Sequence, residues 1–252
     1  MSGMSTHVAI LLTVLLAMQS TLGCLSQPPD RVTIHGIEVV DGVIRQVSSD
    51  GVAVRAGRIN THFHPSGCSS LAEVIHNLRD LQKAGTTTVA YHGLPLTLGR
   101  AVRHYVGTGR QRGPRFLTSG PTLVPVAQSA CEVSVRSVED ARQTVQQFVA
   151  AEVDFVSASS TLPRDVLCAA VDEAQRLETS VVVEGDGPCP GDDLRRLQDA
   201  LGQVAPGYRA DLVAQNQVWI DGVSQELEGP WYELLLAYLY WAWDSIMPPT
   251  KS

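Results

Sequence analysis

The sequence predicts an α/β protein whose strands run parallel. Short β-rich segments alternate with amphipathic helical segments along most of the chain, and strands joined by helices pair in parallel through right-handed crossovers. The 252 residues are 44% hydrophobic and 18% charged, which is ordinary for a chain with one sizeable core. The net charge of −7 and the lack of a concentrated basic face argue against a nucleic-acid partner.

The elements follow from local patterns. Asp-Gly turns at Asp41 and Asp50 divide an initial β-rich unit over residues 32–54. Ser137 with Asp140 three residues later marks the start of a helix, and Pro163 opens another. Five arginines among glycines between residues 100 and 115 are interpreted as a solvated loop. Apolar periodicity predicts helices at 71–84 and 192–201 and strands at 86–91, 115–118, 153–157 and 180–183.

Two histidines at the end of an early strand are candidate metal ligands. Side chains alternate across a strand, so His62 and His64 point the same way, and Phe63 points to the other face. Neutral imidazoles at this spacing can hold one divalent metal ion, with a third protein ligand and a water completing the shell. The alternative is a pair of histidines at the mouth of a strand that bind no metal.

The segment GRINTHFHP at 57–65 resembles the first barrel strand of the amidohydrolase superfamily, in its imidazolonepropionase/prolidase-like branch. That strand supplies two metal ligands in the family. The resemblance covers residues 31–222, and the order of the motifs is more specific than any one of them. Further segments similar to the family follow in order: LQKAGTTTV at 81–89, GPRFLTSGP at 113–121, the stretches 138–155 and 170–184, and LGQVAPGYRADLV at 201–213.

The resemblance implies a TIM-type (β/α) barrel over residues 57–201, with a small β domain built from both chain ends, at 31–56 and 202–224. A β/α unit takes about 30 residues and a complete barrel about 250. After the other segments are subtracted, the chain has room for about five units. We therefore expect an internally truncated, partial barrel in which the sixth, seventh and eighth strands are absent.

The truncation removes expected ligands. The resemblance places Glu184 where the family's fifth strand has a histidine, and Ser157 where the fourth strand has a carboxylated lysine. The general base of the eighth strand has no counterpart. A reduced site remains, because His62, His64 and Glu184 form a His₂Glu set that can hold one zinc ion. Asp186 would act as base or fourth ligand, and His92, after the second strand, could substitute as a ligand; alternatively, Glu184 is a solvent-facing strand end.

Two functions from different classes follow. The first is an exported, metal-dependent hydrolase that acts on a C–N bond of a small-molecule amide, cyclic amide or peptide-like substrate by metal-activated water, with one divalent ion, zinc, as cofactor. The second is an inactive descendant that serves as a surface-anchored binding protein, or a decayed product. A homo-oligomer that completes the barrel would favour the first.

The N-terminus predicts export. Residues 1–24 resemble a lipoprotein signal peptide, with an apolar run ending in Ser-Thr-Leu-Gly before Cys24. Lipidation of Cys24 would anchor the protein to a membrane; a plain cleaved signal, with a periplasmic or extracellular product, or a buried N-terminal helix is the alternative. No Lys or Arg precedes Arg31, so the usual positive charge is missing.

The other cysteines and the C-terminal tail leave alternatives open. Cys68, Cys131, Cys168 and Cys189 allow two disulfides in three connectivities, although Cys168 fits a small core residue. An aromatic tail at 229–252 is interpreted as an amphipathic cover for an open sheet edge. A membrane-interface helix and a segment without a selected role are the alternatives.

Overall fold

A computed structural model describes residues 31–48, 50–65, 67–107, 113–192, 194, 201–215 and 217–221, and the backbone of the strand Val223–Gln225. The predicted signal peptide with Cys24 and the aromatic tail at 229–252 lie outside these residues. So does most of the helix predicted at 192–201, of which Asp192 is not helical.

Five parallel strand positions form the partial barrel. The first sheet contains β5 (Arg58–Phe63), β6 (Thr86–Tyr91) and β7 (Arg115–Thr118), all parallel. The second contains β8 (Thr122–Val124), β10 (Val156–Ser159) and β11 (Val181–Glu184), with the short β9 (Glu132–Ser134) beside β8.

The third barrel position is one interrupted strand made of β7 and β8. The backbone N–H of Ser119 still donates to Tyr91 on one side, and that of Asp154 donates to Thr118 on the other. These bonds connect the two sheets into a continuous curved layer. The structure therefore confirms a partial TIM-type barrel of about five units.

Four helices of the described chain connect the strands: α1 (Leu71–Lys83), α2 (Leu96–Gly107), α3 (Val138–Ala150) and α4 (Arg164–Arg176). The predicted cap at Ser137 is confirmed, since its hydroxyl accepts the backbone N–H of Asp140. Ser70 and Glu73 form a complete capping box at α1. In the described part of the chain, no helix is both long and apolar enough to cross a bilayer.

The solvated-loop interpretation of residues 100–115 was wrong. Residues 100–107 form the last two turns of α2, whose Leu98, Ala101 and Val102 are buried and define an apolar face. Arg103 on this helix lies 3.4 Å from the carboxylate of Asp154. The glycines in the segment suggested a break, but the apolar face determines the helix.

The small β domain combines both ends of the described chain. β1 (Arg31–Ile34), β2 (Ile37–Val40) and β3 (Val43–Val47) form an antiparallel meander. A second sheet pairs β4 (Val54–Ala56) with β12 (Leu212–Ala214), followed by β13 (Gln217–Ile220) and β14 (Val223–Gln225). Buried apolar side chains from both sheets form its core: Ile34, Ile37, Val39, Ile44, Ala210, Leu212, Ala214 and Trp219.

The open edge of the barrel at β11 is covered by the chain that follows it. The backbone N–H of Asp192 donates to the carbonyl of Val181 at 2.6 Å, so the return segment runs along the edge. Leu194 is buried in the barrel interior. Between Glu184 and Leu212, the described residues contain no sixth parallel strand. Leu194 packs there against Ala90, Phe155 and Val182.

Two disulfides resolve the cysteine alternatives. Cys68 pairs with Cys131 and Cys168 with Cys189, at Cα separations of 5.4 and 5.5 Å. The interpretation of Cys168 as a simple core residue was therefore wrong, because it links α4 to the return segment. Because Cys168 lies among apolar residues of α4, its sequence context did not indicate a disulfide with Cys189.

An ion-pair cluster joins the bottom of the barrel to the small β domain. Arg115 Nη2 lies 3.2 Å from Asp211 and 2.9 Å from Asp221, and the Asp211 side chain is fully buried. Burial opposes the charge on Arg115, but the two carboxylates outweigh this effect and raise its pKa. Removal of the arginine would leave a buried carboxylate without its cation.

We expect Arg115→Ala to lower the free energy of unfolding by about 3–5 kcal/mol, the usual effect of breaking a buried pair. Urea denaturation followed by circular dichroism measures it. Arg31→Ala removes an exposed pair with Glu38 and should cost about 1 kcal/mol or less. Equal losses in the two variants would contradict the structural role of Arg115.

We also expect Gly191→Ala to destabilise the protein by about 1–3 kcal/mol through overpacking. A Cβ at this position would lie 2.8 Å from both the carbonyl oxygen of Val181 and the nitrogen of Val183. A Cβ at Gly107 meets no atom within 4 Å, so Gly107→Ala is the matched control. Equal stability of the two variants in thermal melts would show that the return segment does not pack against β11.

Candidate metal centre

The barrel strands bring a set of polar side chains together at their carboxyl ends. His62 lies on β5 and His64 just after it, while His92 directly follows β6. Ser157 lies on β10, and Glu184 ends β11. Because the strands are parallel, these ends meet at one rim. This rim is the face where TIM-type barrels carry their active sites.

The three histidines form a compact cluster. One nitrogen atom from each of His62, His64 and His92 lies within 4.8 Å of the others. The Nε2 atoms of His62 and His64 are 3.2 Å apart. Tetrahedral zinc with Zn–N bonds of about 2.0–2.1 Å separates its ligand atoms by about 3.4 Å. The donor set and its spacing therefore fit one divalent metal ion.

His92 is the most constrained member of the cluster. Its side chain is 0% exposed and its ring lies 4.8 Å from that of Phe155. Nδ1 lies 3.2 Å from Oγ of Ser157, and Nε2 lies 3.3 Å from the backbone carbonyl oxygen of Thr61. The residue that the sequence offered as a substitute ligand thus lies within the cluster.

Glu184 lies beside the histidines. Its Oε1 atom is 3.7 Å from Nε2 of His64 and 3.8 Å from Nδ1 of His92. The same oxygen accepts a hydrogen bond from the hydroxyl of Ser157. The structure therefore brings together His62, His64 and Glu184, the predicted His₂Glu set. The side chain of Glu184 is 28% exposed, so it is accessible from solvent without being a free surface group.

The protonation states suit a metal site. Burial lowers the pKa of His62 and His64, and the positive charge that His92 can carry lowers them further. Burial alone would raise the pKa of Glu184, but the neighbouring His92 imidazole and the hydrogen bond from Ser157 outweigh this effect and lower it. Neutral imidazoles beside an ionised carboxylate are the forms that bind divalent metals.

Asp186, the predicted base or fourth ligand, is exposed two residues beyond β11. Among the described residues, no hydrogen bond or ion pair joins it to the histidines, and its role stays a prediction. Ser157 was noticed in the sequence only as the position of a lost lysine. Its contact with Glu184 depends on the pairing of β10 with β11, and its contact with His92 spans 65 residues; no local motif indicates either.

The loop after His64 is tied to the barrel. The hydroxyl of Ser69 lies 3.2 Å from that of Tyr91, to which Asn77 also donates. The disulfide between Cys68 and Cys131 fixes the same loop to the start of β9. The segment that carries His64 is therefore held at several points, which favours a preformed site.

Comparisons with known proteins agree with this geometry. Neither a protein-family model nor a curated protein sequence matches the chain. Solved structures do match, among them a putative prolidase from Bifidobacterium longum, at 27% identity with a TM-score of 0.52. An amidohydrolase crystal structure matches at 15% identity with a TM-score of 0.60 over 76% of this chain and 94% of that one. The chain is thus similar, over part of its length, to a prolidase and to an amidohydrolase of known structure.

The similarity to these structures is partial in coverage. The match to the Bifidobacterium prolidase includes 66% of this chain but only 47% of the prolidase. An Aspergillus niger ochratoxinase structure shares the fold at 14% identity and a TM-score of 0.50, over 60% of this chain and 52% of that one. The chain thus spans about half the length of these two proteins, consistent with five barrel strands.

We expect metal affinity to be nearly constant between about pH 8 and pH 7 and to fall below about pH 6.5, the usual histidine pKa. Protons compete with the metal for imidazole nitrogen, and the lowered pKa values of His62 and His64 shift this competition to more acidic pH. Zinc titration against a chelator over this range measures it. An affinity that already declines steeply between pH 8 and 7 would indicate raised histidine pKa values instead.

Proposed function

We propose that this protein is a one-metal hydrolase of the amidohydrolase type that cleaves a C–N bond. The observation that supports this proposal most strongly is the cluster of His62, His64 and His92, at the carboxyl ends of a partial amidohydrolase-like barrel. A divalent ion held there, zinc by the chemistry of its donors, would activate a water molecule and polarise the substrate carbonyl.

The residues divide the work between binding and proton transfer. His62, His64 and His92 are the neutral nitrogen donors. The sequence alone suggested Glu184 as the third ligand, but the third histidine leaves this carboxylate available as a base. Glu184 takes a proton from the attacking water as the C–O bond forms, and returns it to the nitrogen as the C–N bond breaks. Asp186 is the second candidate for this proton transfer.

The substrate class is proposed from the family. The Bifidobacterium structure, with 27% identity, is named a putative prolidase, and a second match is named an amidohydrolase. We propose a small amide, a cyclic amide or a peptide-like compound as substrate. The exposed rim formed by His62 and His64 allows such a molecule to approach from solvent.

A binding protein without activity is the second candidate. Its support is the serine at position 157, where the family resemblance calls for a lysine, and the match to only 47% of the prolidase. A second copy of the chain that completes the barrel would restore the first candidate. Export, with a lipid anchor on Cys24, is proposed for either candidate and rests on the sequence alone.

The test is the metal content of the purified chain, measured by mass spectrometry. We expect about one zinc or similar ion per chain, and less than about a tenth of that in His62→Ala/His64→Ala, because one imidazole cannot hold the ion alone. His76→Ala is the matched control, since His76 is an exposed residue of α1 paired with Asp80. It should keep the wild-type metal content.

Hydrolysis assays on cyclic amides and dipeptides separate the two candidate functions. Metal-dependent turnover that the double variant loses and His76→Ala keeps would support the hydrolase. Bound metal without turnover of any of these compounds would favour the binding protein. A folded wild-type chain that takes up no metal would contradict the proposed function.

A further inference from the structure

A short hydrogen-bonded chain connects Glu184 to His92 through a buried serine. The side chain of Ser157 is fully buried. Its hydroxyl donates to Oε1 of Glu184 and its oxygen lies 3.2 Å from Nδ1 of His92. Glu184 Oε1 is 3.8 Å from that nitrogen, which is too far for a direct hydrogen bond. The serine therefore bridges a gap that the carboxylate does not span.

The other nitrogen of His92 faces a competing acceptor. Nε2 lies 3.3 Å from the backbone carbonyl oxygen of Thr61. A neutral imidazole carries one N–H, so it can donate to Ser157 through Nδ1 or to Thr61 through Nε2, but not to both. The two contacts thus correspond to two tautomers with opposite consequences for a metal, since only the nitrogen without hydrogen can bind one.

The serine side should win this competition. A hydroxyl has a single proton, and that proton goes to Glu184, so the oxygen of Ser157 can only accept from His92. The bond from Ser157 to the ionised Glu184 carboxylate is about twice as strong as a neutral one, and the low local dielectric strengthens it further, so the hydroxyl proton stays on the Glu184 side. Nδ1 of His92 therefore faces an oxygen lone pair, which favours a hydrogen on Nδ1. The bonds that His92 can donate to Ser157 and to Thr61 are both neutral, and the Thr61 contact, at 3.3 Å, is longer than the usual 2.7–3.2 Å.

We propose that Ser157 is a positioning residue that holds His92 in the Nδ1–H tautomer and so leaves the Nε2 lone pair free for the metal ion. This inference rests on the proposed function, because it assigns the ligand atom of the third histidine. Metal-binding histidines commonly donate their second nitrogen to a carboxylate that fixes the tautomer. Here a serine placed between the two groups performs that role.

The first test needs no metal. Long-range ¹H–¹⁵N NMR on the metal-free full chain at about pH 8, above the usual histidine pKa, reports which nitrogen of His92 carries the proton; the loss of one signal set in His92→Gln assigns the ring. We expect Nδ1–H in the wild type. A wild-type ring protonated on Nε2, or on both nitrogens, would overturn the proposal.

Variants of Ser157 extend this test. Ser157→Ala should convert His92 to the Nε2–H tautomer, because the ring then donates to Thr61. Ser157→Thr keeps the hydroxyl and should restore Nδ1–H. Ser159→Ala is the matched control, since Ser159 lies on the same strand and, among the described residues, its hydroxyl bonds to Thr161 alone. An unchanged tautomer in folded Ser157→Ala would overturn the proposal.

Zinc titration tests the consequence for the metal. Ser157→Ala should bind zinc about 10–100-fold more weakly than the wild type, the usual effect of losing an outer partner of a ligand. Ser157→Thr and Ser159→Ala should stay close to the wild type. Equal affinity of Ser157→Ala and wild type would contradict the inference alone. Failure of the wild type to bind zinc would contradict the proposed function, and the NMR result would still decide the tautomer.

Discussion

The candidate site depends on the parallel pairing of β5 with β6. Asn60 pairs with Val89 and Phe63 with Tyr91, with a shift in register between the two pairs. The backbone N–H of His92 donates to Phe63 at 3.0 Å, immediately after the paired residues. This pairing places the two histidines of one strand beside the histidine that follows the next. An antiparallel arrangement would separate the same residues by the length of a strand.

The partial barrel supports this pairing because its interior and its open edge are both filled. The ring of Phe155 packs against the ring of His92, and Leu194, from the segment after β11, is buried in the barrel interior. The Cys168–Cys189 disulfide links that segment to α4. An exposed strand edge is otherwise a site for association with other chains. The structure thus shows how a five-unit barrel packs within the described residues.

Sequence patterns predicted the elements that depend on local periodicity. The strands 86–91 and 115–118 agree with β6 and β7, and His62 with His64 followed from the alternation of side chains. β10 begins at Val156, three residues later than predicted, because Val153 belongs to the turn after α3 and packs against the α3–α4 core. Glycines concealed α2, although its apolar face is regular.

Contacts between distant elements could not be predicted in the same way. The approach of Ser157 to His92 spans 65 residues, and its bond to Glu184 depends on the register of β10 and β11. No sequence pattern around Ser157, His92 or Glu184 indicates that the three side chains are in contact. The disulfide pairs were likewise one of three connectivities that the spacing allowed. The contacts within the site could be identified only once the pairing of the strands was known.

X-ray absorption spectroscopy on the zinc-loaded full chain tests the central claim most directly, because it counts the imidazole ligands around the ion. We expect one zinc site with three imidazole nitrogens at about 2.0–2.1 Å and further low-atomic-number ligands completing the shell. His92→Ala should reduce the count to two. A spectrum of zinc surrounded by oxygen atoms alone, or one that His92→Ala leaves unchanged, would contradict it.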